Sequence, residues 1–145
     1  MTTEQSFLNG RVIKISLPQI PPPSGPDAPL LKRLMLPQGE LAQFYDGDEG
    51  ILYMAMIELH PGQPRGNHYH KVKVEYIYVL EGKTELVVQD IENQAHEKMT
   101  LEAGDLAVVQ PGIAHVLRPL VKGRAIEFSP SRFDVADIQR YPLNV

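Results

Sequence analysis

The chain has 145 residues, 43% of them hydrophobic and 22% charged, with a formal net charge of −4 at pH 7 and no cysteine. That length predicts one domain with a sizeable core, and the composition excludes a disordered chain. The acidic balance argues against nucleic acid or membrane as a partner, and without cysteine any metal must be held by nitrogen and oxygen ligands.

No stretch approaches the roughly 18 apolar residues of a membrane span. The N-terminus, MTTEQSFLNGRVIKI, has neither a basic start nor a long apolar segment, so a soluble, cytoplasmic protein is expected. Residues 1–36 read as a short strand, RVIKISL (Arg11–Leu17), followed by a proline-rich arm. Six of the thirteen prolines crowd into LPQIPPPSGPDAP, which predicts an extended loop that cannot join a central strand. Such a loop either lies on the surface or leads a strand across to a partner subunit.

Residues 37–130 read as a barrel, entered from the strand LLKRLML (Leu30–Leu36). The further predicted strands are ILYMAMIEL (Ile51–Leu59), KVEYIYVL (Lys73–Leu80), TELVVQD (Thr84–Asp90), EKMTL (Glu97–Leu101), DLAVVQ (Asp105–Gln110), HVLRPL (His115–Leu120) and RAIEFS (Arg124–Ser129). Turns are marked by Pro61-Gly62, Glu81-Gly82-Lys83, Ala103-Gly104 and Pro111-Gly112. Short strands at this spacing, rich in β-branched and aromatic residues, predict an all-β sandwich or barrel. In the tail, residues 131–145, SRFDVADIQRY (Ser131–Tyr141) predicts one or two helical turns.

Within GNHYHKVKVEYIYVLEG (Gly66–Gly82), alternation puts His68 and His70 on one side of a strand and Tyr69 on the other. The same alternation gathers Glu75, Ile77 and Val79 on one face, and Val74, Tyr76 and Tyr78 on the opposite one. A carboxylate among Ile and Val needs a cation or a hydrogen-bonding partner, because burying it unpaired costs several kcal/mol. Two imidazoles with a metal between would meet that need; exposed histidines on a loop are the plainer alternative. Further on, GDLAVVQPGIAH (Gly104–His115) ends on another histidine.

Together the two segments resemble the cupin superfamily. The first cupin motif, glycine, five residues, HxH, four residues, glutamate, six residues, glycine, is met by Gly62, His68, His70, Glu75 and Gly82. The second is met by Gly104, Gly112 and His115, with Gln110 at the usual proline position and Pro119 where an asparagine is often found. The resemblance implies a double-stranded β-helix, or jelly-roll, barrel. It implies that His68, His70, Glu75 and His115 bind one divalent transition metal, with zinc, iron, manganese, nickel and copper all compatible with those ligands. It also implies a homodimer, for which an N-terminal strand exchanged across a two-fold axis is one arrangement.

The wording RGNHYH with a following K-x-E is similar to cupin domains of capsular-polysaccharide enzymes that epimerise or isomerise nucleotide-linked keto-sugars. A small metalloenzyme of that kind, acting on a polar small molecule by enolate stabilisation, is the leading expectation. A metal-dependent dioxygenase or decarboxylase, and a non-catalytic small-molecule-binding cupin, are the alternatives. The catalytic candidates are Tyr53 and Glu127, the latter either solvent-facing or a buried general base. Gln110, Arg118 and His60 are candidates for substrate binding at the mouth. Tyr76 and Tyr78 read as packing, and His96 as an exposed loop residue.

Overall fold

The computed structural model describes residues 2–23 and 25–145; Met1, and Ser24 of the proline-rich arm, lie outside them. Among the described residues the architecture is all-β, a jelly roll with a single 310 turn. Its frame is two long bent strands, β8 (Glu75–Asp90) and β11 (Ile113–Ser129), paired antiparallel along their length. Around them lie β1 (Thr3–Phe7), β2 (Val12–Ser16), β6 (Tyr53–Leu59), β7 (Arg65–Tyr69), β9 (His96–Glu102), β10 (Asp105–Val109) and β12 (Gln139–Arg140). The sheet runs β1-β2-β10-β8-β11-β7-β12, with β6 on β11 and β9 on β8.

Each long strand merges two that the sequence predicts separately. Glu81-Gly82-Lys83 is a corner within β8, where the strand passes the matching corner of β11 rather than turning back. The corners almost touch. A Cβ on Gly82, at φ +88°, would meet the Gly123 Cα at 2.7 Å. Pro119 sits beside a register shift between Pro119 and Val121, where its missing N–H interrupts the ladder least.

Strand β6 shows the expected alternation: Ile57 and Leu59 are buried while Met54, Met56 and Glu58 face out. The inward residues of β6, β8, β9, β10 and β11, including Ile57, Ile77, Val79, Leu86, Leu101 and Val109, form the main core.

The arm is more ordered than the proline count predicts. Gln19–Ile20 forms β3, parallel to β4 (Lys32–Leu36), which pairs in turn with β5 (Gly39–Gln43). β3 stays an edge strand and stops before Pro21, as proline requires. This small sheet and the chain after it cover the Tyr76 and Tyr78 face, which in the sequence is open to either a second sheet or a subunit. Phe44 stacks on Tyr78 with centroids 4.2 Å apart, and Tyr45 meets Tyr76 edge-on at 5.6 Å. Such aromatic pairs contribute about 0.5–1.5 kcal/mol each beyond the area they bury.

The strand at Arg11–Leu17 is observed as β2, and it pairs with β1 and with β10 of its own chain. In the tail the expected short helical segment is one 310 turn at Val135–Asp137, capped by the Asp134 side chain. No described helix is long and apolar enough to cross a membrane.

Candidate metal centre and active-site cavity

The strand register brings the histidines together. His115 on β11 lies opposite His68 on β7, with a bulge immediately after it. Gly66 makes that pairing possible: its φ is +115°, and a Cβ there would stand 2.6 Å from the His115 carbonyl oxygen. His70 follows β7 directly, and Glu75 opens β8. The ring centroids of His68 lie 5.0 Å from His70 and 4.9 Å from His115. One ligand atom from each of His68, His70, Glu75 and His115 falls within 4.8 Å of all the others. His70, Glu75 and His115 are buried, and His68 is partly so.

The tautomers follow from the hydrogen bonds. His70 Nδ1 lies 2.8 Å from the Asp137 carbonyl and His115 Nδ1 lies 3.0 Å from the Ile113 carbonyl. A carbonyl only accepts, so both Nδ1 atoms carry a proton, and in the neutral rings both Nε2 atoms present a lone pair. Those Nε2 atoms are buried without a hydrogen-bond partner. They face an anion: His115 Nε2 is 2.9 Å from Glu75 Oε2, and His70 Nε2 is 3.8 Å from Oε1. Lone pairs directed at a carboxylate repel unless a proton or a metal ion lies between them. The donor set and its orphaned nitrogens therefore fit a divalent ion.

The electrostatics without an ion describe the proton's answer to the same problem. Burial alone would raise the Glu75 carboxyl, yet the contacts from His115 and His70 outweigh it and hold Glu75 well below its ordinary value. Burial likewise opposes a charge on His115, but Glu75 overrides it and raises the imidazole. His68 is lowered to about 4, mainly by burial and then by the charge of His115.

A second group adjoins the first. Glu127 on β11 accepts a hydrogen bond from the Tyr53 hydroxyl at 3.2 Å. Burial, then the charge of Glu75, raises the Glu127 carboxyl, and burial with Glu127 raises the Tyr53 phenol. Lys73 is buried between the groups, its Nζ 3.4 Å from Glu75 Oε1 and 4.5 Å from the centre of the Tyr53 ring. A cavity of about 340 Å³ is lined by His68, Glu75, His115, Glu127 and Arg65 on its polar side, with Ile57 and Leu117 among its apolar walls.

The candidates predicted for the mouth lie elsewhere. Arg118 donates to the carbonyls of Leu143 and Val145 and so clasps the tail. His60 is exposed, 3.7 Å from Glu58. The backbone N–H of Gln110 donates to the Arg11 carbonyl. None of the three lines the cavity. Arg65 and Lys73 enter the sequence reading only through the RGNHYH and K-x-E wording, not as site residues, and Asp137 does not enter it. Lys73 was legible, since two residues before Glu75 it shares that face. Strand alternation gave no reason to place Arg65 at the cavity, and Asp137 reaches the site from a distant tail.

Residues 55–124 match the family model described as cupin domain. No curated protein matches the sequence. Among solved structures, the fold is similar to dTDP-6-deoxy-D-glucose-3,5-epimerase from Legionella pneumophila Philadelphia 1, in complex with dTDP-4-keto-L-rhamnose (TM-score 0.73, 12% identity, 95% of this chain and 76% of that one). It is also similar to dTDP-4-dehydrorhamnose 3,5-epimerase from Bacillus anthracis strain Ames, with TDP and pyrophosphate bound (0.72, 13%, 95% and 82%). A third is the WlaRB TDP-quinovose 3,4-ketoisomerase from Campylobacter jejuni (0.67, 18%, 77% and 88%). At these identities the likeness is one of fold.

Proposed function

We infer that this chain, which carries a cupin domain over residues 55–124, is a metal-dependent isomerase or epimerase acting on a keto-sugar, free or nucleotide-linked. One observation carries the reading: a half-buried carboxylate of raised pKa, Glu127, shares a polar cavity with a His/Glu cluster whose orphaned nitrogens need a cation. Proton transfer beside a carbonyl needs those two parts, a base and an electrophile.

His68, His70, Glu75 and His115 would hold one divalent ion, and zinc, iron, manganese and nickel all suit three imidazoles and a carboxylate. When bound, such an ion supplies Lewis-acid polarisation of a carbonyl oxygen. The chain's own residues do the rest. Glu127, its basicity raised by burial, takes the proton from the carbon next to the carbonyl and delivers it to the former carbonyl carbon, while the hydroxyl proton passes to the former carbonyl oxygen, so that the carbonyl moves to the neighbouring carbon. The Tyr53 hydroxyl, hydrogen-bonded to Glu127, orients that carboxylate. Lys73 and Arg65 supply positive charge near Glu75, Glu127 and Tyr53. The cavity's polar side suits a hydroxylated ligand, while Ile57 and Leu117 limit water on the other.

A homodimer belongs to the same reading, with Leu52, just before β6, and Met54 and Met56 on it as an exposed apolar row. A monomeric mass at micromolar concentration would remove it.

The test is metal analysis of the protein as purified, followed by incubation with 4-keto-sugar nucleotides in heavy water. Deuterium entering the carbon next to the carbonyl, dependent on the metal, supports the isomerase. Oxygen uptake without exchange would replace it with a dioxygenase. Metal-dependent ligand stabilisation without turnover would replace it with a binding protein.

A further inference from the structure

The two central histidines are held in different ways. His115 is fixed locally, by a carbonyl two residues away. His70 is fixed by the C-terminal tail, 67 residues further on, through the Asp137 carbonyl. Asp137 also holds the chain that follows His70. Its carboxylate accepts from the backbone N–H groups of Lys71 at 2.7 Å, Val72 at 3.2 Å and Lys73 at 3.0 Å. That loop connects His70 to Lys73 and Glu75, so a single tail residue spans the connection between two of the four cluster members.

The tail is itself clasped to the strand bearing His68. The Tyr141 N–H donates to the Asn67 carbonyl at 2.7 Å, and the Leu143 N–H donates to the Asn67 Oδ1 at 3.0 Å. β12 pairs with Tyr69 and His68 of β7. Yet the turn carrying Asp137 buries no residue, and Phe133 and Val135 beside it are exposed. An element with few buried apolar contacts undocks at lower free energy than the barrel it rests on. A buried ligand side chain thus depends on a surface segment.

We propose that Asp137 is a positioning residue, through which docking of the C-terminal tail fixes the ring and tautomer of His70 and thereby sets the cluster's affinity for its divalent ion. The affinity clause rests on the metal reading above; the tautomer clause does not. A ligating imidazole is oriented by the acceptor on its other nitrogen, and loss of such an outer partner lowers metal affinity about 10–100-fold.

The experiment uses the full chain labelled with ¹⁵N-histidine, metal-free, at about pH 8, where free imidazole is neutral. The ring nitrogens of His70 and His115 are expected to report Nδ1–H in the parent. In Asp137→Ala, His70 is expected to lose that preference while His115 keeps it. Zinc affinity, measured by competition with a chelator, is expected to fall at least about tenfold. Asp137→Asn keeps an oxygen for Lys71 and Val72 and is expected to fall between the two; it also serves if the alanine variant does not fold. Parent-like tautomers and zinc affinity in both variants would overturn the proposal, as would equal disturbance of His70 and His115. If the parent binds no divalent ion while Asp137→Ala still shifts His70 alone, the metal reading fails and the positioning role of Asp137 stands.

Discussion

His115 Nε2 stands 2.9 Å from Glu75 Oε2 while its Nδ1 is already committed to the Ile113 carbonyl. The short contact therefore needs a cation, and its identity changes with pH. In metal-free protein that cation is a proton, which explains why Glu75 is lowered and His115 raised together.

The signs give a pH profile for the metal-free protein. His68, lowered to about 4 from an ordinary 6.5, opposes folding at low pH, so stability rises as pH climbs from about 4 to 6.5. His115 is raised above 6.5, so its contribution is complete below 6.5 and is lost as pH rises through its folded value. Glu75, held below 4.5, keeps its contribution above 4.5 and loses it only in stronger acid. Urea melts of chelated protein should therefore show a maximum near pH 6.5 and a decline on the alkaline side. His115→Gln should flatten the alkaline limb. A parent profile flat to pH 9 would remove the shared proton.

Zinc should reverse the alkaline decline, because it competes with that proton. At a free concentration of 100 Kd, binding to the folded state adds about 2.7 kcal/mol, and chelation should withdraw it. His70→Ala should abolish the gain. Equal melts with and without zinc from pH 6 to 9 would count against a metal centre.

Glu127→Gln should leave zinc affinity within a few-fold of the parent and lower proton exchange by about 10²–10⁴. Its fold should not suffer, since the substitution removes a half-buried carboxylate whose charge desolvation and Glu75 already disfavour. Tyr53→Phe should cost less, because it removes only the hydroxyl that orients Glu127. Because burial raises Glu127, the acid limb of the exchange rate should lie above 4.5 and disappear in Glu127→Gln. Full exchange activity in that variant would assign the base elsewhere.

These features differ in how far the sequence displays them. Glu75 shares a face with Ile77 and Val79 because strand alternation is local, and the structure buries all three. His68 and His70 meet for the same reason. The bend at Gly82 was misread as a turn, since a glycine between charged residues signals either, and only contact with Gly123 distinguishes them. β1, TEQSF, is a mostly exposed edge strand with no apolar alternation to reveal it. Asp137 was invisible because its role lies in hydrogen bonds to amides more than sixty residues away.

Lys73 separates the electrostatic role of the ion from its chemistry. Its ammonium lies 3.4 Å from Glu75 Oε1, both side chains are buried, and no other lysine or arginine among the described residues pairs with that carboxylate. Removing one member of a buried ion pair typically costs about 3–5 kcal/mol, because the remaining charge loses compensation. His115 shares that task here, so Lys73→Met should cost less in metal-free protein, about 1–3 kcal/mol. A bound divalent ion would neutralise Glu75 more completely than an ammonium does. The same substitution should therefore cost under about 1 kcal/mol in zinc-loaded protein, and Glu127, deprived of a nearby cation, should titrate higher still. Paired urea melts of parent and variant, with zinc and with chelator, measure the difference directly. Equal penalties in the two conditions would mean that the ion and Lys73 do not share the charge of Glu75.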